Sequence, residues 1–298
     1  MRLRSSVGTS SASPIPLPFS EPRGLPGEKA LLIDAHGLSA EDRERIAQYR
    51  ARTGASFDAA AVDLGLVDPD ILRQALARYT EAGALVDPDA TGISRAVVAA
   101  YDPDNPLTIK LRELRSSLLT MLDLDHEPLS VVVLAGCGTD NTAGVAANLA
   151  TLFAQLGRRG MIVDANFAAP TQDALFGAAL AEGTTSLLTG GVAREESIVP
   201  TPVPNLDLVA SGPAIIGVSE AVERVSLIEQ LRALRGDYCF AIVDAGNQPA
   251  DIVAALARGA DGVLLLAERH HTSMRLLGTL IDRLAANDIP VLGNVLVR

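Results

Sequence analysis

Residues 135–144 have the composition of a phosphate-binding loop placed between a strand and a helix. They read Ala-Gly-Cys-Gly-Thr-Asp-Asn-Thr-Ala-Gly and directly follow the apolar run at residues 131–134. Gly136, Gly138 and Gly144 permit a tight turn, and the backbone N–H groups that open a helix attract anions. A catalytic loop of this kind also needs a lysine for the β- and γ-phosphates and a Ser or Thr hydroxyl for Mg²⁺.

The loop lacks that lysine, and so does everything after it. The chain contains only Lys29 and Lys110, both of which precede the first apolar strand. Arg158 lies at the far end of the following helix and lacks the point-charge geometry of a lysine. The glycine spacing does not fit a dinucleotide site either, since Asn141 stands at the third glycine position. The loop is therefore interpreted either as a strand-to-helix turn or as a weak anion site.

Two acids could act beside this loop. Asp164 and Asp244 each end an apolar run, and the carboxyl ends of parallel strands meet at one edge of a sheet. Such carboxylates could hold Mg²⁺, but without the lysine and the hydroxyl we expect a structural or hydrogen-bonding role. Cys137, His270 and His271 have no partners at metal-ligand spacing, so no metal site is predicted.

Short apolar runs alternate with amphipathic stretches from residue 129 onward. This pattern predicts a doubly wound, mostly parallel α/β sheet with helices on both faces. The helix after the first strand is predicted to bury one stripe, formed by Val145, Leu149, Leu152, Phe153 and Leu156. The predicted strands lie at residues 131–134, 161–163, 206–209, 240–243, 263–266 and 291–297.

The region before the sheet divides into three predicted parts. Residues 1–29 are rich in Ser, Pro and Gly and predict a disordered arm without a signal peptide. Residues 30–83 predict a small helical domain, with a helix start at Ser39. Residues 84–106 contain Asp-Pro pairs and predict a linker, and residues 107–298 predict the α/β domain, entered through a helix at 107–122.

Composition excludes several classes of protein. The formal net charge of −11 argues against binding to nucleic acid or to anionic membranes. Two cysteines form no disulfide framework and suit a reducing cytoplasm. No apolar run reaches the roughly 18 residues that a membrane span needs, so direct membrane insertion is not expected.

The motifs together resemble the bacterial tyrosine autokinases of exopolysaccharide export, in particular chain-length-determinant kinases of the EpsG type. Residues 142–150 (Thr-Ala-Gly-Val-Ala-Ala-Asn-Leu-Ala) match the family's Lys-Ser-Thr-x-Ala-Ala-Asn-Leu-Ala, and residues 162–170 match its Ile-Asp-Ala-Asp-Leu-Arg-x-Pro. Residues 186–190, 206–212 and 260–266 also follow the family. The resemblance implies a nucleotide-binding fold of the P-loop NTPase type and a Walker B acid at Asp244.

The departures from the family fall at the positions that do chemistry. Thr142 stands at the lysine position, Ala143 at the Mg²⁺-ligand position and Asn166 at the second acid of the second motif, where only Asp164 is kept. Alanine also replaces the arginine at position 168, and no tyrosine cluster follows the last strand. Gly136, Gly138 and Asn141 complete the set of vestigial nucleotide-site positions.

Arg112 and Arg115 match the helix through which such kinases pack into rings. Ile109 replaces the glutamate of that Glu-x-x-Arg-x-x-Arg pattern, which disfavours a ring but leaves a homo-oligomer open. Arg112 and Arg115 are accordingly predicted oligomer or partner contacts.

The resulting interpretation is a non-catalytic pseudokinase that regulates or scaffolds a cell-surface polysaccharide synthesis and export machine. Its implied partner is a transmembrane chain-length-determinant (polysaccharide co-polymerase) protein or an active tyrosine kinase. The predicted location is the cytoplasm, peripheral to the inner membrane through that partner. No cofactor is expected beyond weak residual binding of ATP or another anion. The alternatives are a divergent ATP-binding tyrosine autokinase or ATPase that uses an arginine or a partner's residue, and a positioning ATPase of the partition type.

Overall fold

The computed structural model describes residues 39–53, 57–68, 86–122, 129–179, 182–191, 193–234 and 238–297. The described residues up to 68 belong to one compact unit, and those from 86 onward belong to another. The predicted arm at residues 1–29 and residues 69–83 of the predicted helical domain lie outside the described residues.

The smaller unit contains helices α1 (Ala40–Thr53) and α2 (Phe57–Asp63). Helix α1 starts where the sequence predicted, because the Ser39 hydroxyl accepts a hydrogen bond from the Asp42 N–H at 3.1 Å. The Asp42 carboxylate in turn accepts one from the Ser39 N–H at 3.1 Å, which satisfies two N–H groups that a helix start otherwise leaves open. A small apolar cluster joins the two helices through Ile46, Ala60, Ala61 and Val67.

The larger unit is built on a seven-stranded sheet with the order β3-β4-β2-β5-β1-β6-β7. All neighbouring strands pair in parallel except β3, which runs antiparallel to β4. The prediction of a mostly parallel α/β sheet is confirmed, and each of the six predicted apolar runs forms a strand. The strands are β1 (Ser130–Cys137), β2 (Gly160–Asp164), β3 (Val199–Pro200), β4 (Leu206–Val209), β5 (Phe240–Asp244), β6 (Gly262–Glu268) and β7 (Val291–Val297).

Helices cover both faces of this sheet and bury two separate apolar clusters. They are α3 (Pro88–Thr91), α4 (Pro106–Leu119), α5 (Thr142–Ala154), α6 (Gln172–Phe176), α7 (Thr184–Thr189), α8 (Val218–Arg224), α9 (Leu227–Arg232), α10 (Ala250–Leu256) and α11 (Met274–Ala285), with 3₁₀ turns at Val98–Ala100 and Arg194–Ser197. Helix α4 begins within a residue of the predicted start because Asn105 caps it, accepting a hydrogen bond from the Leu107 N–H at 3.0 Å.

Helix α5 is more deeply buried than the predicted single stripe. Every residue from Val145 to Ala154 is buried, since the sheet lies on one side of the helix and α4 and the 3₁₀ turn at Val98–Ala100 lie on the other. The prediction was wrong for Leu156, which lies beyond the end of the helix with 37% of its surface exposed.

The predicted linker does not behave as one over its described part, residues 86–106. Ile93 and Val97 are buried in the same apolar cluster as helix α5. The Asn148 side chain accepts a hydrogen bond from the Ala99 N–H at 2.8 Å, which fastens this segment to α5. The Asp-Pro pairs mark turns within a packed segment rather than a free connection, because turn residues report local conformation and not burial.

Candidate functional site

The carboxyl ends of β1, β2 and β5 meet in the middle of the sheet and carry the predicted site residues. Asp164 ends β2 and lies directly opposite Asp244, which ends β5. Strand β1 lies between β5 and β6 and leads into the glycine-containing loop and helix α5. The sheet therefore brings together the loop, Asp164 and Asp244, as the sequence predicted.

The loop folds tightly, and some of its backbone N–H groups donate hydrogen bonds to other parts of the protein. Gly136 donates its N–H to the Gly246 carbonyl at 2.7 Å, and Gly138 donates to the Asn247 side chain at 3.0 Å. Gly138 has a φ of 67°, which favours glycine, and a Cβ at Gly136 would lie 2.6 Å from the Thr139 carbonyl oxygen. Two of the N–H donors in this loop are thus already occupied by protein acceptors.

The residues at the lysine and metal-ligand positions face the protein rather than an open site. Thr142 is 1% exposed, and its hydroxyl has no hydrogen-bond partner among the described residues. That hydroxyl lies 2.6 Å from where a Cβ at Gly136 would be, so it points back into the loop. Ala143 supplies only a methyl group. Neither side chain can neutralise a γ-phosphate or bind Mg²⁺.

Both acids are engaged through both of their carboxylate oxygens. Asp164 accepts hydrogen bonds from the backbone N–H groups of Asn166, Thr171 and Gln172 at 3.0, 2.9 and 2.9 Å. Asp244 accepts one from the Gly246 N–H at 3.0 Å and one from the Gln172 side chain at 2.8 Å.

Burial disfavours the charged form of each acid. It raises the pKa of Asp244 to about 6, although the hydrogen bond from Gln172 opposes the shift and the charge of Asp164 adds to it. Burial also raises the pKa of Asp164, against its three backbone hydrogen bonds.

Gln172, at the start of α6, is the functional-site residue that the sequence did not indicate. Its side-chain amide donates to Asp244 at 2.8 Å and to the Ala143 carbonyl at 3.2 Å, so it bridges the end of β5 and the first turn of α5. The side chain is fully buried, and within the described part of the chain its own carbonyl oxygen has no hydrogen-bond partner. No spacing rule marks this glutamine, because the bridge spans elements that are distant in sequence. We call the residues 136–142 together with Asp164, Gln172 and Asp244 the loop cluster.

Asn166 also lies at the loop cluster. Its side-chain amide donates to the Ala169 carbonyl at 2.9 Å. A Cβ at Gly246 would lie 2.2 Å from the Asn166 side-chain carbon, so the amide packs against the loop after β5. The asparagine at the position of the second acid therefore holds two loops together.

Cys137 and the paired histidines supply no additional chemistry. Cys137 is buried, and burial raises the pKa of its thiol. Its carbonyl accepts a hydrogen bond from the Thr272 hydroxyl at 2.5 Å, which fastens the loop after β6 to the end of β1. Within the described ranges, no group of three or more His, Cys, Asp or Glu side chains is placed to hold a metal ion.

The structure places Arg112 and Arg115 on helix α4 and not beside the loop cluster. Arg112 donates to the Pro103 carbonyl at 2.9 Å, and Arg115 donates to the Leu152 carbonyl at 2.7 Å. Ile109 on the same helix is 46% exposed. The two arginines thus contact their own chain, and their predicted contact with another molecule stays a prediction.

A cavity of about 280 Å³ lies beside the loop cluster, between helix α4, the first turns of α5 and the end of β7. Lys110 and Leu107 line it from α4, Asn141 and Gly144 line it from the start of α5, and Leu296 lines it from β7. We call it the side pocket. The sequence did not indicate this pocket, because Lys110 precedes β1 and is far from the loop along the chain. The packing of α4 on α5 places Lys110 and the loop residue Asn141 on the walls of the same pocket.

No helix in the part of the chain that the structure describes is long and apolar enough to cross a membrane.

The comparisons with known proteins agree on one group of relatives. No family model matches the chain. Among curated proteins, it is 28% identical over 121 residues to the tyrosine-protein kinase YwqD of Bacillus subtilis, covering 41% of this chain and 51% of that protein. It is 25% identical over 142 residues to the putative tyrosine-protein kinase CapB of Staphylococcus aureus, covering 48% of this chain and 62% of that protein. It is 30% identical over 179 residues to the putative tyrosine-protein kinase EpsB of Ralstonia solanacearum, covering 59% of this chain and 24% of that protein. The matched parts are therefore less than two thirds of the length of each of these relatives.

Solved structures give the same fold. The chimerical protein CapA2B2 matches with a TM-score of 0.59 at 24% identity, over 70% of this chain and 96% of that one. The kinase domain of the Escherichia coli tyrosine kinase ETK matches with a TM-score of 0.57 at 23% identity, over 65% and 77%. The resemblance to bacterial tyrosine kinases is confirmed, and the fold is that of their kinase domains.

Proposed function

From this relationship to bacterial tyrosine kinases, we propose that the protein is a non-catalytic regulator or scaffold of a cell-surface polysaccharide synthesis and export machine. The observation that carries the proposal is the Gln172 bridge. Its amide joins Asp244 to the Ala143 carbonyl, between the position of the Walker B acid and that of the Mg²⁺ ligand. A metal ion bound there would have to break a buried hydrogen bond to an acid whose pKa is raised to about 6.

Phosphoryl transfer depends almost entirely on positioning and on neutralising the phosphates. At the loop cluster the lysine position is a buried threonine and the metal-ligand position is an alanine. The N–H groups of Gly136 and Gly138 already have protein acceptors. None of these groups supplies a positive charge to the phosphates, which supports a non-catalytic role.

The proposed partner is a transmembrane chain-length-determinant protein or an active tyrosine kinase, which would hold this chain at the cytoplasmic side of the inner membrane. The polysaccharide context rests on the sequence resemblance. Helix α4 and the turn after it support a protein contact, because Ile109 on the helix and Met121 beyond its end are 46% and 48% exposed while Arg112 contacts its own chain. An apolar contact would thus replace the arginine-mediated contact of the family.

A second candidate is a divergent ATP-dependent tyrosine kinase. The names of the sequence relatives favour it, and Lys110 beside Asn141 is a cation near the loop that sequence order alone did not indicate.

Phosphotyrosine detection after incubation with Mg²⁺-ATP, together with calorimetric titration, separates the two candidates. We expect no phosphotyrosine, no hydrolysis and no Mg²⁺-dependent ATP binding tighter than about 100 μM, or about −5.5 kcal/mol. A kinase domain with an intact loop is the positive control. Autophosphorylation that is lost in an Asp244→Asn variant would overturn the proposal and establish the second candidate. Co-purification with the membrane partner tests the scaffold role directly.

A further inference from the structure

The two edge strands of the sheet differ in how they are protected from pairing with another strand. Strand β3, at one edge, is two residues long, and its second residue is Pro200, which has no N–H to donate. Strand β7, at the other edge, has seven residues, Val291–Val297, and none of them is charged or a proline. Short length, charge and proline are devices by which proteins keep an edge from pairing. Strand β7 carries none of these three devices.

The outer side of β7 presents backbone groups that no described strand uses. Among the described strands, β7 pairs with β6 alone. The Val297 carbonyl accepts a hydrogen bond from the Arg269 N–H at 3.1 Å on the β6 side, and successive residues of a strand direct their peptide groups to alternate sides. The N–H and C=O groups of Leu296 and Asn294 therefore face away from β6. The irregularity in the pairing with β6 lies nearer the start of β7.

The sequence of β7 reads almost the same in both directions about Asn294. It is Val-Leu-Gly-Asn-Val-Leu-Val, in which only residues 293 and 295 break the symmetry. Antiparallel pairing of two such strands about a two-fold axis at Asn294 sets leucine opposite leucine and the end valines opposite each other, which are favourable cross-strand pairs. Self-complementarity of one surface about a two-fold axis is what a symmetric dimer requires.

The two ends of β7 also carry opposite charges. Asp288 precedes its first residue, and Arg269 lies beside its last residue, Val297. Both side chains are exposed, and neither makes an ion pair with a described residue. Antiparallel pairing brings the end of each β7 beside the start of the other, so that it sets unlike charges together. Parallel pairing would set like charges together, which is unfavourable.

We propose that the outer edge of β7 pairs antiparallel with β7 of a second copy of this chain, which joins the two sheets into one across a two-fold axis at Asn294. The outward N–H and C=O groups of Asn294 would bond to those of Asn294 in the second copy. Leu296, which is 45% exposed, would lie opposite Leu292 of that copy. Pairing would thus satisfy backbone groups and cover apolar surface at the same edge.

This dimer goes beyond the proposed function, because it uses an edge of the sheet and not the partner contact proposed for helix α4. It would give a scaffold two copies of the exposed Ile109, related by the two-fold axis. Nucleotide binding has no part in it, since the pairing groups belong to β7 alone.

The first experiment is analytical ultracentrifugation of the full chain, whose monomer mass is 31.1 kDa, over a range of concentrations. We expect reversible formation of a dimer. Leu296→Lys places a charge on the edge and is expected to weaken dimerisation about tenfold or more, or about 1.4 kcal/mol. Ile216→Lys is the control, because it adds the same charge at an exposed apolar residue in the loop after β4, near the opposite edge. It is expected to keep the dissociation constant within about threefold.

Asn294→Cys tests the register of the pairing. Directly opposite residues of a hydrogen-bonded antiparallel pair have Cα atoms about 5.5 Å apart, which a disulfide can bridge. Oxidation is therefore expected to give a covalent dimer of Asn294→Cys. Leu296→Cys is expected to stay uncross-linked, because it lies opposite Leu292 and not opposite its own copy. The wild type, with Cys137 and Cys239, gives the baseline.

A charge reversal tests the antiparallel direction. Arg269→Glu is expected to weaken dimerisation, and adding Asp288→Lys to the same chain is expected to restore it, because the two ends of β7 then carry opposite charges again. A double variant that dimerises no better than Arg269→Glu alone would overturn the antiparallel arrangement. Circular dichroism establishes that each variant is folded.

A wild type that stays monomeric up to about 100 μM, or about −5.5 kcal/mol, would overturn the proposal. A dimer that Leu296→Lys leaves unchanged would also overturn it, as would equal cross-linking of Asn294→Cys and Leu296→Cys. These outcomes are separate from the test of the proposed function. Autophosphorylation would overturn that function without changing the sedimentation result, and a monomeric chain would leave the non-catalytic role to be judged on its own.

Discussion

The loop cluster and the side pocket share the first turn of helix α5 but differ in how their polar groups are satisfied. In the loop cluster both oxygens of Asp164 and both oxygens of Asp244 accept hydrogen bonds from the protein. In the side pocket Lys110 has no described acceptor, and the surface around it is open. Groups that would serve phosphoryl transfer are thus closed into the fold, while groups that could bind an anion remain accessible.

This difference shows that a buried acid at the end of a strand can serve the packing of the fold. Asp244 occupies the position of the Walker B acid, yet its contacts are those of a structural residue that ties β5 to α6 and, through Gln172, to α5. A buried carboxylate that has partners is costly to remove, because its donors would be left unsatisfied. The acid is therefore expected to contribute to folding whether or not a nucleotide binds.

The largest expected effect is on the pH dependence of stability. The pKa of Asp244 is raised from 3.8 to about 6, so the folded state holds a proton that the unfolded state releases. The free energy of unfolding is therefore expected to fall as pH rises from about 4 through 6, by about 3 kcal/mol from this residue, and then to level off. The raised pKa of Asp164 acts in the same direction. Urea unfolding at a series of pH values measures this fall.

Asp244→Asn is the variant that assigns this pH dependence. Above pH 6, the free energy of unfolding of Asp244→Asn is expected to rise relative to that of the wild type. Asp251→Asn is the control, because it removes a mostly exposed carboxylate that is paired with Arg283 on the surface. An unchanged slope in Asp244→Asn would show that Asp244 is not the source of the pH dependence.

A glycine comparison tests packing at the two regions directly. Gly136→Ala in the loop cluster is expected to lower the free energy of unfolding by about 1–3 kcal/mol, because its Cβ would lie 2.6 Å from the Thr139 carbonyl and from the Thr142 hydroxyl. Gly144→Ala at the side pocket has open space and is expected to raise it by about 0.5–1 kcal/mol. Thermal or chemical unfolding of both variants measures these changes. The comparison would be contradicted if both variants changed the free energy of unfolding in the same direction.

The smallest expected effect concerns the bridge itself. Gln172→Leu removes the one side-chain donor to Asp244 that the described residues supply, which is expected to lower the free energy of unfolding by about 1–2 kcal/mol at pH 7 and to raise the pKa of Asp244 further. Gln155→Leu is the matched control, since its amide donates to the Ala99 carbonyl in a different part of the same unit. If the pH dependence of the unfolding free energy changed equally in both variants, the Gln172 hydrogen bond would not be what influences the pKa of Asp244.

The fold was largely predictable, because near-continuous apolar runs that alternate with helices leave few arrangements other than a parallel sheet. The two-residue strand β3 was not predictable, because Val199–Pro200 carries no periodic signal in the sequence. This strand is defined by its antiparallel pairing with β4. The linker prediction did not hold over residues 86–106, because burial of Ile93 and Val97 depends on the surface that α5 presents.

The amino-acid sequence by itself determined the strands and the position of the loop, because these follow from residue type and from local spacing. It also shows Thr142 and Ala143 where the family resemblance implies a lysine and a metal ligand. Only the tertiary structure decided that Gln172 bridges Asp244 and Ala143 and that Lys110 lies beside the loop. Both relationships join elements far apart in the chain, since the parallel sheet and the packing of α4 on α5 bring together side chains that no sequence period connects.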